Sequence, residues 1–213
     1  MRGLKSSVRN AVFLRRNILH SVDADHVEIR VLGCLLEKQR TTPDAYPLSL
    51  NALRLACNQS TNREPVVDYD ERTIRTALDR LSRRGWVRLA SGSGSRAVKF
   101  RHLLNEALRL SDADLSVLSV LMLRGPQTPR ELKQRTERLH RFDSPAEVDS
   151  VLEGLIEREL ATRVPRRPGQ KEQRYAQLLG GGEEAAPPED SLEARVARLE
   201  AEVRELRERL APE

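Results

Sequence analysis

The sequence predicts a mainly α protein with small β-hairpins, of the α+β class, and three observations predict it. Within Asp70–Arg101, an apolar stripe at helical spacing gives way to two runs that alternate with period two. The same order of helices and hairpin recurs from Ser111 to Leu178. The last thirty residues then carry a regular leucine and valine heptad. Together these give two tandem winged helix-turn-helix domains followed by a short C-terminal coiled coil. The boundaries are 1–22 for a basic extension, 23–104 and 105–179 for the domains, 180–190 for a linker and 191–211 for the terminal helix.

The first domain starts with Asp25 and Glu28, spaced as a capping box, ahead of the stripe Val27, Val31, Cys34 and Leu35. Thr41-Thr42-Pro43 stops that helix. Ser49 is the N-cap expected for a second helix that turns Leu50, Leu53, Ala56 and Cys57 inward and Asn51, Arg54 and Asn58 outward. After the polar run Gln59–Pro65, Asp68 or Asp70 caps a third helix. Ile74, Ala77, Leu78 and Leu81 form its buried stripe, and Gly85 stands where a helix end needs a left-handed residue. Trp86–Ala90 and Ala97–Arg101 alternate as strands around the glycine–serine loop Ser91–Ser95.

The second domain repeats the plan. Ser111 and Asp114 cap a helix marked by Leu115, Leu118 and Leu121. Gln127-Thr128-Pro129 echoes Thr41-Thr42-Pro43 at a separation of 86, and Ser144-Pro145-Ala146-Glu147 opens the third helix as an N-cap, a proline and a box glutamate. Leu152 falls 74 residues after Leu78. The two separations differ by 12, so the first copy carries that much extra chain, expected around Tyr46 and in Gln59–Tyr69.

In the terminal segment Leu192, Leu199 and Leu206 occupy d, and Val196, Val203 and Leu210 occupy a. This pattern favours a parallel homodimer. The alternative is an amphipathic helix folded back on its own domain.

Charge narrows the partners. The 37 basic and 32 acidic residues are unevenly placed: residues 1–22 hold five basic residues and no acid, whereas 181–213 have a net charge of −5. The N-terminal stretch, interrupted by Arg15 and Arg16, lacks the apolar run of a signal peptide. It is either an arm for phosphates or an anionic membrane, or an unstructured extension. No apolar run reaches the length of a membrane span. Cys34 and Cys57, on apolar faces without metal spacing, read as buried thiols, and a cytoplasmic setting is the default.

On the third helix of the first domain Arg72, Thr76 and Arg83 project outward, flanked by Arg75 and Arg80, while Asp79 is expected to be neutralised by Arg75 and Arg83. Arg88, Arg96 and Lys99 place positive charge on the hairpin. These eight residues are the candidate contacts to duplex DNA. The equivalent helix of the second domain turns Glu147, Ser150, Gly154 and Glu157 outward, with Glu153 alongside, which suits a protein partner better. The polar cluster Asn51, Asn58, Gln59, Asn62, Arg63 and Glu64 reads either as scaffolding of a long loop or as a ligand contact. Gly92-Ser93-Gly94-Ser95-Arg96-Ala97 matches a dinucleotide fingerprint in letters only, because it joins two strands instead of a strand and a helix. No nucleophile–base pair, metal-ligand set or phosphate loop is present in the pattern, so no enzyme activity and no cofactor are expected.

The stretches Gly33–Gln39, Thr41-Thr42-Pro43, Tyr46–Ser49, Ala56–Gln59 and Asn62–Pro65 closely resemble the bacterial YceH-like family. Leu123-Arg124-Gly125, Thr128-Pro129, Glu131-Leu132 and the heptad tail resemble it further along. The resemblance covers roughly residues 25–210 and implies a tandem winged-helix fold; it carries no activity with it. Met1–Val22 departs from the family pattern.

Overall fold

A computed structural model of the chain describes residues 24–90, 98–166 and 172–180. The first copy of the repeat consists of α1 (His26–Thr41), a 3₁₀ turn (Pro43–Ala45), β1 (Leu48–Ser49), α2 (Leu50–Cys57), α3 (Glu71–Arg83), β2 (Val87–Ala90) and β3 (Lys99–His102). A short helix, α4 (Leu104–Leu108), leads into the second copy. That copy is built from α5 (Asp112–Arg124), α6 (Pro129–Thr136), α7 (Pro145–Glu157), β4 (Ala161–Val164) and β5 (Arg174–Gln177). The α+β class read from the sequence is the observed one.

Helix starts follow the expected caps. Asp25 and Glu28 form a reciprocal capping box on α1, and Ser111 and Asp114 form one on α5. Ser49 and Asp70 accept from the backbone N–H groups of Ala52 and Thr73. Ser144 caps α7 by accepting from Glu147 N, but the box is not closed as expected. The Glu147 carboxylate instead accepts from Asp143 N at 2.9 Å, one residue earlier.

The hairpins extend the equivalence to individual bonds. β2 pairs antiparallel with β3, Val87 opposite His102, and β4 with β5, Ala161 opposite Gln177. Trp86 N donates to Leu81 O at 3.0 Å, and 74 residues later Leu160 N donates to Leu155 O at 2.9 Å. Gly85 has φ +71°, and the same turn in the second copy is made by Glu159 at φ +57°.

Two expectations from the sequence are corrected. The first concerns β1, which the sequence reading missed. It adds a third strand in the order β1-β3-β2, with Leu48 opposite Phe100. Its counterpart in the second copy is a single bridge between Gln127 and Tyr175. Two residues are too short a run to show a period, so no alternation could announce this strand. The second concerns Gln127-Thr128-Pro129, which is not the counterpart of Thr41-Thr42-Pro43. Thr128 is the N-cap of α6, as Ser49 is of α2, and these stand 79 positions apart. The extra chain of the first copy is therefore divided. Part lies between α1 and α2, where the 3₁₀ turn sits, and part between α2 and α3.

The two copies share one continuous core. On α1 every residue from Val27 to Leu36 is buried, including Glu28 and Arg30, and on α5 every residue from Leu115 to Leu123 is. Each helix packs on its own copy with one face and on the other copy with the opposite face. The helices approach closely at Gly33. A Cβ there would lie 2.9 Å from Leu123 Cγ and 3.1 Å from Met122 Cβ, and Ser119 Oγ donates to Gly33 O at 3.2 Å. Ala24 N also donates to Leu179 O at 3.1 Å, tying the start of α1 to the end of the second copy.

Candidate nucleic-acid interface

Helix α3 separates its two faces cleanly. Ile74, Ala77, Leu78 and Leu81 are buried, whereas Arg72, Arg75, Thr76, Asp79, Arg80 and Arg83 are exposed. The buried stripe holds the helix on the core, so the arginines stand on the solvent side by default. Their environments differ. Arg80 Nη1 is 2.5 Å from Asp25 Oδ2, so its charge is partly matched by the cap of α1. One turn on, Arg84 at the helix C-cap reaches the buried Glu28 carboxylate at 3.0 Å. The Thr76 hydroxyl donates back to Arg72 O at 3.0 Å. Asp79 forms no ion pair with Arg75 or Arg83, so the expected neutralisation at i±4 is not observed as a contact. At the helix start, Thr73 donates to the Asp70 carboxylate and holds its pKa below the usual range.

The hairpin adds Arg88, exposed on β2 directly opposite Arg101, and Lys99, half-buried on β3 opposite Ala90. Arg96 lies outside the described residues, as does the glycine–serine loop. The alternation read on β2 does not translate into alternating burial: the consecutive Trp86 and Val87 are both buried, and Leu89 is 54% exposed, because the hairpin runs past the edge of the core.

The polar cluster has a different fate. Arg63 is buried, and all five of its N–H groups have acceptors. Nε donates to Ala56 O (3.0 Å), Nη1 to Glu37 Oε1 (3.0 Å) and Asn62 O (2.9 Å), and Nη2 to Glu37 Oε2 (2.6 Å) and Gln59 Oε1 (3.0 Å). Burial opposes the charge on Glu37, but the hydrogen bonds and charge of Arg63 outweigh it and hold the carboxyl below its ordinary value. Asn58 closes the loop on Tyr69, accepting from its N–H and donating to its carbonyl, both at 2.9 Å. Asn62 adopts φ +60° and accepts from Arg124 of the second copy at 3.0 Å, while Glu64 N donates to Leu123 O at 2.8 Å. Asn51 remains exposed and accepts from Arg54 at 3.3 Å. These contacts make the segment a strut between the copies. Arg30 reinforces it by donating to Cys57 O (3.2 Å) and Pro65 O (2.6 Å), a role no spacing rule announces.

In the second copy the equivalent face of α7 exposes Glu147, Ser150 and Glu157, with Gly154 half-buried. Glu153 is paired with Arg163 on β4, and Arg174 on β5 is paired with Glu131 at 3.1 Å. Two hairpin arginines are thus engaged within the fold. Cys34 and Cys57 are both free and buried; the Cys57 thiol is pushed up by its hydrogen bond to Cys34 and by burial. Among the described residues no group of three or more His, Cys, Asp or Glu is placed to hold a metal ion, and no helix is long and apolar enough to cross a membrane. The heptad positions Leu192, Val196, Leu199, Val203, Leu206 and Leu210 lie outside the described residues.

The geometry therefore defines a class: an α+β protein with two copies of a three-helix-and-hairpin unit on one core and an arginine-bearing face on the first copy. Residues 24–170 match the family model described as "Protein of unknown function, DUF480". A UPF0502 protein of Geobacter metallireducens is 50% identical over 190 residues, covering 83% of this chain and 86% of the relative. One from Klebsiella pneumoniae is 48% identical over 200 residues (86% and 92%), and UPF0502 protein YceH of Escherichia fergusonii is 46% identical over 198 residues (86% and 92%). The chain belongs to this DUF480, or YceH-like UPF0502, family.

Proposed function

We propose that each copy is a winged helix-turn-helix unit and that the protein is DNA-associated and non-catalytic, acting as a transcriptional regulator. The first copy would enter duplex DNA with α3 and rest its hairpin on the backbone. The observation that carries this reading is the exposed row Arg72, Arg75 and Arg83, standing on a helix whose other face is buried. Arg88, Lys99 and Arg96 would place the hairpin against phosphates. The terminal heptad would pair two chains, so that two such faces could meet successive half-sites. A cytoplasmic location agrees with the free, buried thiols.

The test is fluorescence anisotropy of the full chain on a mixed-sequence duplex, with salt varied. Phosphate contacts make log Kobs fall with log salt at roughly −0.9 per contact, so four contacts give a slope of about −4. Arg72→Glu combined with Arg83→Glu is expected to weaken binding at least tenfold, roughly, and to flatten that slope by about two. Unchanged affinity, or binding indifferent to salt, refutes the reading.

A second reading is a protein-interaction scaffold, favoured by the exposed Glu147, Ser150 and Glu157 of α7, a surface that would repel phosphate. Partners retained after nuclease treatment, and lost on Glu147→Lys with Glu157→Lys, would support it over DNA binding.

A further inference from the structure

Where α1, the 58–64 segment, α5 and α6 meet, a cleft of about 460 Å³ opens between the two copies. Its lining is rich in cations. Arg124 ends α5, and Arg135 and Arg138 come from the end of α6 and the turn beyond it; Gln134 and Asn62 add neutral polar groups. Val120, Leu123 and Leu139 make an apolar section of the wall.

The anions nearby do not match these cations. Glu37 lines the cleft, but both of its oxygens are held by the buried Arg63. Glu131 approaches Arg135 only at 3.9 Å and is shared with Arg174 at 3.1 Å. Arg124 is held by a neutral acceptor, Asn62 Oδ1 at 3.0 Å. Among the described residues Arg138 makes no ion pair. Burial and the neighbouring Arg135 charge press the Arg124 guanidinium below its ordinary pKa, and the charges of Glu64 and Glu131 only partly offset them. Guanidinium groups present planar pairs of donors that suit phosphoryl oxygens. The volume falls within the range of roughly 300–1,000 Å³ typical of small-molecule sites, and the exposed lining is mostly polar, with Val120, Leu123 and Leu139 supplying the smaller apolar part.

We propose that this cleft binds a phosphorylated small molecule that also carries an apolar body, its phosphoryl group on Arg124, Arg135 and Arg138 and its body against Val120, Leu123 and Leu139. Concavity favours such a ligand over a DNA backbone, which needs a surface open along its length. Asn62 and Glu37 come from the first copy and the three arginines from the second, so an occupant bridges the junction. The proposal does not depend on DNA binding by α3.

Isothermal titration of the full chain with 1-naphthyl phosphate at low ionic strength tests it. Saturable binding at one site per chain is expected. Arg135→Ala and Arg138→Ala, both at partly or fully exposed positions, should each weaken it roughly tenfold or more, as for loss of a charge-assisted hydrogen bond. Arg72→Ala on α3 should leave it unchanged. Pyrophosphate, without an apolar body, and 1-naphthoate, with a carboxylate head, should both bind more weakly. Absence of saturation at millimolar concentrations overturns the proposal, as does a loss in Arg72→Ala equal to that in Arg138→Ala. Equal binding of pyrophosphate overturns the apolar part, and equal binding of naphthoate the phosphoryl part. If Arg138→Ala weakens a duplex and 1-naphthyl phosphate does not bind, the arginines belong to a nucleic-acid surface and the cleft is no small-molecule site.

Discussion

Replacing Arg63 with methionine would keep most of its volume while removing five donors at once. The side chain is fully buried, and Glu37 beside it is only 15% exposed. Breaking a buried ion pair by removing one partner typically costs about 3–5 kcal/mol, because the remaining charge loses its counter-ion without regaining water. The residual exposure of Glu37 sets the expectation at the lower end, near 3 kcal/mol, or about 6–12 °C in Tm for a chain of this size. In the native protein the carboxyl titrates below its ordinary value. The stabilisation it brings is therefore complete above the unfolded pKa of about 4.5 and fades as pH falls through the lower folded value. In Arg63→Met, burial, the largest influence on Glu37, is opposed only by Lys38 at 3.5 Å and is expected to raise the Glu37 pKa above the unfolded value, so protonation relieves the variant as pH falls from 7 to 5. Over that interval the native protein keeps its full pair. Urea denaturation followed by circular dichroism at pH 7 and pH 5 should show the gap between the two proteins narrowing by about 1 kcal/mol. Arg63→Met with Glu37→Met should recover most of the loss, since an apolar pair of similar volume replaces the ion pair. A gap below about 1 kcal/mol, a gap indifferent to pH, or a double variant no better than the single one would refute the reasoning.

Two further perturbations probe the repeat. Gly33→Leu should destabilise by about 2 kcal/mol despite its better helix propensity, because the new side chain meets Leu123 and Met122 within the packed seam. Denaturant titration checks this, and a stabilised Gly33→Leu variant would mean the helices are not in contact there. Glu159→Gly should stabilise by roughly 0.5–1 kcal/mol, since Glu159 holds the left-handed turn that Gly85 makes in the first copy; a lower midpoint in the same assay would argue against strain at that turn.

The sequence by itself determined what local forces decide. Caps at Asp25, Ser49, Asp70, Ser111 and Ser144 mark helix starts because orphan N–H groups need nearby acceptors. The stripe Ile74, Ala77, Leu78 and Leu81 chose the buried face of α3, and by exclusion put Arg72, Arg75 and Arg83 in water. Tertiary structure alone decided what depends on partners distant in sequence. Partners far away in the chain explain why Glu28, held by Arg84, and Arg30, held by Cys57 O and Pro65 O, are buried, and the seam of α1 on α5 explains why Ser119 is buried and Gly33 has no room for a side chain. Periodicity reports one apolar face, so a helix packed on two sides hides its second contact. The same limit kept Arg63 ambiguous between scaffold and ligand contact until Glu37, 26 residues earlier, was seen to hold it, and left Arg124, Arg135 and Arg138 as scattered charges until the folded copies placed them around one cleft.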